Sequence, residues 1–142
     1  MKVSAAQFSF DAPAGYLVEE TTLGLRSAHR NGPSPSFIVN TRPTRPGSTL
    51  ESLASEVVAE LAQTIGQMKA PSLTEFTFED GQKGLLVAHA LSTQSGPLRQ
   101  YFLLRLHEGQ LCTITLTVPE PALNEASAPL FMKSLASLKT TP

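Results

Sequence analysis

The sequence predicts an α+β domain in which an antiparallel sheet carries one long helix and a C-terminal helix on one face. Three observations predict it. Ser48 to Met68 is the one long segment whose apolar residues recur at three- and four-residue spacing, the signature of an amphipathic helix. The segments around it run either at period two or as short continuous apolar stretches, as strands do. The resulting order of strands, long helix, about four strands and terminal helix indicates an antiparallel sheet. The whole chain, residues 1–142, reads as one domain.

Phe8 and Phe10 alternate with Ser9 and Asp11, and the run stops at the turn cluster Asp11-Ala12-Pro13-Ala14-Gly15, which makes a first strand. Tyr16 to Ser27 is a longer extended region, with Leu23 and Leu25 on one side and Thr22, Gly24 and Arg26 on the other. After the loop Asn31-Gly32-Pro33-Ser34-Pro35, the run Phe37-Ile38-Val39 is apolar without alternation, as in a strand covered on both sides. A second Pro-rich loop, Arg42 to Gly47, leads to the helix. Ser48 and Glu51 have the spacing of a capping box at its start. Leu50, Leu53, Ala54, Val57, Val58, Leu61, Ile65 and Met68 form its stripe, which is expected to lie on the sheet.

Beyond Pro71, Phe76 and Phe78 face away from Glu75, Thr77 and Glu79. Turns at Asp80-Gly81 and Ser95-Gly96-Pro97 bracket the apolar strand Leu85 to Leu91. The last strand pair, Arg99 to Val118, folds around Glu108-Gly109. Pro119 and Pro121 stop the sheet, and Phe131, Ser134, Leu135 and Leu138 share one face of a helical tail that Pro129 is expected to divide in two.

Composition excludes several functions. Lys and Arg number 11 against 12 acids, so there is no electrostatic footprint for nucleic acid or an anionic membrane. Charged residues make up 16% of the chain against the roughly 25% usual for soluble domains, so part of the surface is expected to be meant for something other than water. The single thiol, Cys112, rules out an intramolecular disulfide and a cysteine zinc cluster, and its strand setting marks it as a buried apolar residue. The opening residues hold neither an apolar run of signal-peptide length nor a lipid-accepting cysteine, and no stretch approaches the ~20 apolar residues of a bilayer span. A cytoplasmic protein that does not itself insert in a membrane is expected.

Catalysis finds no positive support. His29, His89 and His107 have no carboxylate or second histidine at a spacing that places both on one local face. Phosphate loops, dinucleotide glycine motifs, a nucleophile elbow and a paired-histidine metalloprotease helix are all missing from the sequence. No catalytic residue, cofactor or metal is therefore expected. Arg26, His29, Arg30, Arg42 and Arg45 flank the Phe37 strand and suit an anion chemically, although arginines on Pro/Gly-rich loops are usually just solvated.

The strand pair carries the functional signal. If Glu108 and Gly109 are the central residues of a two-residue turn, Leu106 opposes Leu111, whereas a three-residue turn would change which rows meet across the strands and leave apolar side chains on both faces. Tyr101, Leu103 and Arg105 then share a face with Leu116, Ile114 and Cys112, which looks like the core face. Gln100, Phe102, Leu104 and Leu106 share the other with Thr117, Thr115, Thr113 and Leu111. That second face is uncharged and about half apolar. Either loops and the terminal helix close it, or it is a concave surface for another subunit or a bound apolar segment. A transmembrane helix would suit it, because small residues on such a helix let an amide reach a backbone carbonyl while threonines add hydrogen bonds without burying charge.

Several stretches also resemble a known family: Phe8-Ser9-Phe10-Asp11-Ala12-Pro13 with Tyr16, Ser36-Phe37-Ile38-Val39, the long helix, Arg99-Gln100-Tyr101-Phe102-Leu103, Leu111 to Val118 and Phe131 to Lys139. Together they resemble the DcrB-related domain, and most narrowly the Eag chaperones of bacterial type VI secretion. The resemblance implies a Mog1/PsbP-like fold, a homodimer, a cytoplasmic location in a bacterium, and a groove that shields the N-terminal transmembrane helices of a PAAR-type effector before loading on the secretion spike. Carried over by position, the groove residues are Leu23, Leu25, Ile38, Leu98 and Gln100, with Phe102 beside them on the strand. Relatives tend to place a polar amide on the long helix where Val57 stands here. The alternative expectation is a module that binds a small molecule or peptide in the same cavity.

Overall fold

The computed structural model describes residues 2–5, 8–13, 16–19, 23–27, 35–65, 72–93 and 96–140. Its elements are β1 (Lys2–Ala5), β2 (Phe8–Asp11), β3 (Tyr16–Glu19), β4 (Leu23–Ser27), β5 (Ser36–Pro43), α1 (Leu50–Ile65), β6 (Ser72–Thr77), β7 (Lys83–Thr93), β8 (Gly96–His107), β9 (Gln110–Pro119), a 3-10 turn (Glu120–Ala122), α2 (Ser127–Ala136) and β10 (Lys139–Thr140). Seven strands form one antiparallel sheet in the order β3-β4-β5-β9-β8-β7-β6. A small sheet of order β1-β2-β10 packs against it through Phe8 and Phe10, which join the same core as Phe37.

The β8–β9 hairpin sets the register of the centre. Glu108 and Gly109 both have positive φ, 47° and 76°, the conformation a two-residue turn needs to match the twist of its strands. Leu106 accordingly opposes Leu111, and Tyr101, Leu103 and Arg105 oppose Leu116, Ile114 and Cys112, as the sequence predicts. This row is the core face. Leu103, Cys112, Ile114 and Leu116 are completely buried there together with Phe37, Leu135 and Leu138.

Arg105 lies in this core at 4% exposure, so its charge requires partners. The guanidinium reaches both carboxylate oxygens of Asp80, at 2.6 and 3.2 Å, and donates to the Leu138 carbonyl at 2.6 Å. It also lies 4.7 Å over the Phe78 ring. Gly84 makes room for that ring, since a Cβ at this position would overlap both Phe78 and the Leu104 carbonyl. The Asp80 carboxyl is held below the usual carboxylate range, chiefly by its hydrogen bonds from Arg105.

The helices depart from the expected placement, because they lie on opposite faces of the large sheet. Phe131 and Leu135 of α2 pack with Leu103 and Ile114 on the core face. Leu53 and Ala54 of α1 are buried against Val87, Leu104 and Leu111, which point to the other side. Each helix follows its own apolar stripe to a different row of alternating residues. The α1 cap also differs by one residue from Ser48/Glu51. Thr49 and Ser52 exchange hydroxyl-to-amide bonds of 3.1 Å each way, so the box begins at Thr49. The last turn expected for this helix, up to Met68, falls outside the described residues. Pro129 does not divide the tail, since it sits in the first turn of α2, where a missing N–H costs no helical bond. Finally, the run Phe37-Ile38-Val39 is covered on one side only: Phe37 and Val39 are buried, whereas Ile38 is 43% exposed.

Candidate functional site

A sheet of seven strands spaced ~4.8 Å apart is about 29 Å across, and a helix about 10 Å in diameter cannot cover it. On the α1 side, Leu53, Ala54, Val57 and Val58 close over Val87, Leu104 and Leu111, at the end of the sheet near the Glu108-Gly109 turn. Toward the other end the strand registers line up two cross-sheet rows. One runs Ser36, Thr117, Gln100, His89 across β5, β9, β8 and β7. The next runs Ile38, Thr115, Phe102, Val87, Leu73 and reaches β6. From β5 to β6 neither holds a charged residue, but the register continues the first to Arg26 of β4 and the second through Gly24 to Glu19 of β3. Ile38 and Leu73 of the second row are 43% and 48% exposed.

Between α1 and the β5–β9–β8 part of this face lies a cavity of about 580 Å³. Ile38, Phe102, Leu111, Thr113 and Thr115 form its floor, and Val57 faces it from the helix. Its mouth is charged, with Arg42, Arg45, Glu56 and Glu60, and Arg42 Nη2 lies 3.5 Å from Glu56 Oε2 in a solvent-exposed ion pair. The cavity thus combines apolar and hydroxyl groups with the Asn40 amide and four charged residues.

The polar row is held in place from beneath. Gln100 Nε2 donates to Thr117 Oγ1 at 3.1 Å, orienting the amide along the row. The His89 ring stacks on Phe102, with centroids 5.7 Å apart and planes 10° from parallel. His89 is 7% exposed, and neither ring nitrogen has a hydrogen-bond partner among the described residues.

Of the expected groove residues, Ile38, Gln100 and Phe102 lie on this face by register, as does Leu98, two residues before Gln100 and opposite Pro119 and Leu91. Leu23 and Leu25 fall elsewhere by register. They lie across from Val39 and Phe37, the core-row positions of β5, and the residue across from Ile38 is Gly24. Side chains of this strand are outside the described residues. His89 lies on the same sheet face but is buried and does not line the cavity, in keeping with the structural role the sequence suggests. The alternation Leu85, Val87, His89 signals which face it takes, but its juxtaposition with Gln100 depends on the register of β7 with β8.

The remaining chemical groups sit apart from the face. Burial pushes the Cys112 thiol up to about 12, so it stays protonated in the core. His107 is at the hairpin end, its ring edge-on to Phe8 at 6.5 Å, and His29 is outside the described residues. Of the arginine group, Arg42 and Arg45 stand at the cavity mouth, Arg30 lies outside the described residues, and β4 holds Arg26. A second cavity of about 440 Å³ beside α2 is lined by Asp11 to Pro13, Leu130 and Lys133. The Ser137 hydroxyl there already accepts from the Asp11 amide at 2.7 Å and donates to the Ser134 carbonyl. Among the described residues no group of three or more His, Cys, Asp or Glu is placed to hold a metal ion, and no helix is long and apolar enough to cross a membrane.

No family model and no curated protein matches the sequence. Solved structures do match the fold over nearly the whole chain. Cyanobacterial PsbP from Synechocystis sp. PCC 6803 superposes with a TM-score of 0.71 at 16% identity, covering 99% of this chain and 91% of that one. The Ran-binding protein Mog1p of Saccharomyces cerevisiae gives 0.63 at 17% identity, covering 99% and 94%. PA94 from Pseudomonas aeruginosa gives 0.62 at 12% identity, covering 100% and 97%. The fold is therefore Mog1/PsbP-like, as the sequence resemblance implies.

Proposed function

We propose that this protein is a non-enzymatic binding protein whose open sheet face takes up an apolar helix of a partner. The observation that carries the reading is the α1 side of the sheet, where, among the described residues, one helix packs over part of the face and a cavity floored by Ile38, Phe102 and the threonines lies beside it. Packed helices stand 8–10 Å apart, so a second helix laid next to α1 would rest on Ile38, Thr115 and Phe102. Its side chains would enter the 580 Å³ cavity. Gln100 and the threonines supply hydrogen bonds without charge, which matches a segment that otherwise lives in lipid.

Together with the resemblance to Eag chaperones, this supports a narrower role: a cytoplasmic, homodimeric chaperone that shields N-terminal transmembrane helices of a PAAR-type type VI effector and aids its loading on the spike. A protein-binding role also has a precedent within the fold, in the Ran-binding protein Mog1p. Co-expression with such an N-terminal segment should give a soluble complex, which Ile38→Asp and Gln100→Ala should weaken. Soluble effector in equal yield without this protein would sink the reading, and a strictly monomeric particle by light scattering would remove the homodimer.

A second reading has its own observation. The cavity volume is in the ~300–1,000 Å³ range of small-ligand sites, and its mouth offers Arg42 and Arg45 for a carboxylate. A small apolar acid retained in native mass spectrometry and displaced by the effector segment would favour it.

A further inference from the structure

We propose that the cavity beside the end of α2 is a separate site, one that takes a small apolar zwitterion with the chemistry of an aliphatic α-amino acid. It belongs to the α2 side of the large sheet, away from α1, and stands or falls independently of helix binding.

Three chain segments build the cavity. Asp11 ends β2, and its amide donates to Ser137 Oγ at 2.7 Å. Glu79, just beyond β6, donates from its amide to the Ala136 carbonyl at 2.9 Å. Both segments are thereby pinned to the last turn of α2. From the helix side, Leu130, Lys133, Ser134 and Ser137 recur at three- and four-residue spacing, so one face of α2 lines the space. Its volume of about 440 Å³ is toward the low end of the ~300–1,000 Å³ range of small-ligand sites.

Three observations name the ligand. The first is the aliphatic wall of Ala12, Pro13 and Leu130, where Leu130 stays 58% exposed, more than Ile38 or Leu73. The second is charge of both signs around one space. Asp11 and Glu79 line it with Lys133, yet among the described residues no ion pair joins them, while Arg42–Glu56, Lys83–Glu75 and Arg105–Asp80 do pair. Lys2, across from Asp11 in β1, neither lines the cavity nor forms an ion pair with Asp11. Opposite charges held apart around an apolar space match a ligand that carries both signs itself. The third is Ser134, which is more than nine-tenths buried and lines the cavity while its hydroxyl makes no hydrogen bond to a described residue. Buried hydroxyls are normally bonded, so this one lacks a partner that a ligand in the cavity would supply. The ligand carboxylate then meets Lys133, its ammonium Asp11 or Glu79, and its side chain the aliphatic wall. Bonds between charged groups are roughly twice as strong as neutral ones, so each end is recognised separately.

The test follows backbone amide NMR shifts of the full chain during titration with L-leucine, leucinamide, isocaproate and glycine. Leucine should give saturable shifts at the amides of Asp11, Glu79 and Ser137. Leucinamide lacks the carboxylate, isocaproate the ammonium and glycine the side chain, and each should bind about tenfold more weakly. Lys133→Met should remove the preference for leucine over leucinamide and keep that over isocaproate. Asp11→Asn with Glu79→Gln should do the reverse. All three side chains are exposed, so these variants should unfold in urea together with the wild type, and the ligand series on the wild type needs no variant. No saturable shift with leucine, equal binding of leucine and its analogues, or preferences unchanged in both variants would each overturn the proposal. So would leucine shifts confined to Ile38, Phe102 and Thr115, which would put the ligand in the α1 cavity instead. Each of these results leaves the helix-binding reading untouched.

Discussion

The two faces of the large sheet are built from the same strands, and they differ in how each treats a polar side chain. On the core face Arg105 is buried and the chain supplies everything it needs, with two bonds to Asp80, one to the Leu138 carbonyl and the Phe78 ring beneath it. On the α1 face His89 is nearly as buried, and among the described residues nothing answers it. Among the described residues the first face is packed by α2 and the small sheet, the second by α1. The same degree of burial is thus compensated on one face and uncompensated on the other, and an unpaired buried imidazole lowers the stability of its face.

The comparison breaks most visibly at Val39. Its side chain is 6% exposed on the core face, opposite Ile114. Val39→Asn removes buried apolar area and leaves an amide without partners, so a loss of about 4 kcal/mol is expected in urea unfolding. A loss below about 1 kcal/mol would mean that the core face is no more closed than its opposite.

Arg105→Ala is next, at about 2 kcal/mol near neutral pH, because it leaves the Leu138 carbonyl without its donor and a void beside Phe78, while the more exposed Asp80 carboxylate can turn to water. The pH dependence follows from Asp80, whose folded-state pKa lies below its ordinary 3.8 because of Arg105. A depressed carboxylate stabilises the fold above its unfolded pKa and loses that contribution as pH falls through the folded one. The stability gap between the wild type and Asp80→Asn should therefore be full at pH 7 and close below pH 3.8. A gap that widens on acidification would reverse the sign and remove the ion pair from the account of the core.

What could be read from residues alone was the parity within each continuous strand and across one tight turn. Glu108-Gly109 narrows the register to a two- or a three-residue turn, and the positive φ of both residues with the pairing of Leu106 and Leu111 selects the first. Parity does not pass through a long loop. Leu23 and Leu25 share a face by spacing, but which face they share with Ile38 depends on how residues 28–34 bring β4 beside β5, and the register pairs them with Val39 and Phe37. The same limit explains the helices. The α1 and α2 stripes are plain in the sequence, but nothing in a stripe says which side of the sheet it will meet. The strands β1 and β10 are legible only through their partner, since Lys2–Ala5 and Lys139–Thr140 become strands by pairing with β2 at opposite ends of the chain.

The smallest effect sharpens the comparison furthest, because it falls on the residue next to Val39. Ile38 is 43% exposed, across from Thr115 on the open face. Only part of its apolar area leaves water there on folding, and an amide at that position keeps its access to solvent. Ile38→Asn should cost about 1 kcal/mol of unfolding stability, well below the loss at Val39. It should nevertheless weaken uptake of an apolar helix, since the loss appears only once a guest excludes water from that spot. Adjacent residues of one strand would then divide cleanly, Val39 felt in urea and Ile38 felt in binding. If Ile38→Asn instead costs as much as Val39→Asn with no guest present, the open face is already closed in the free protein and there is no groove for a partner to fill.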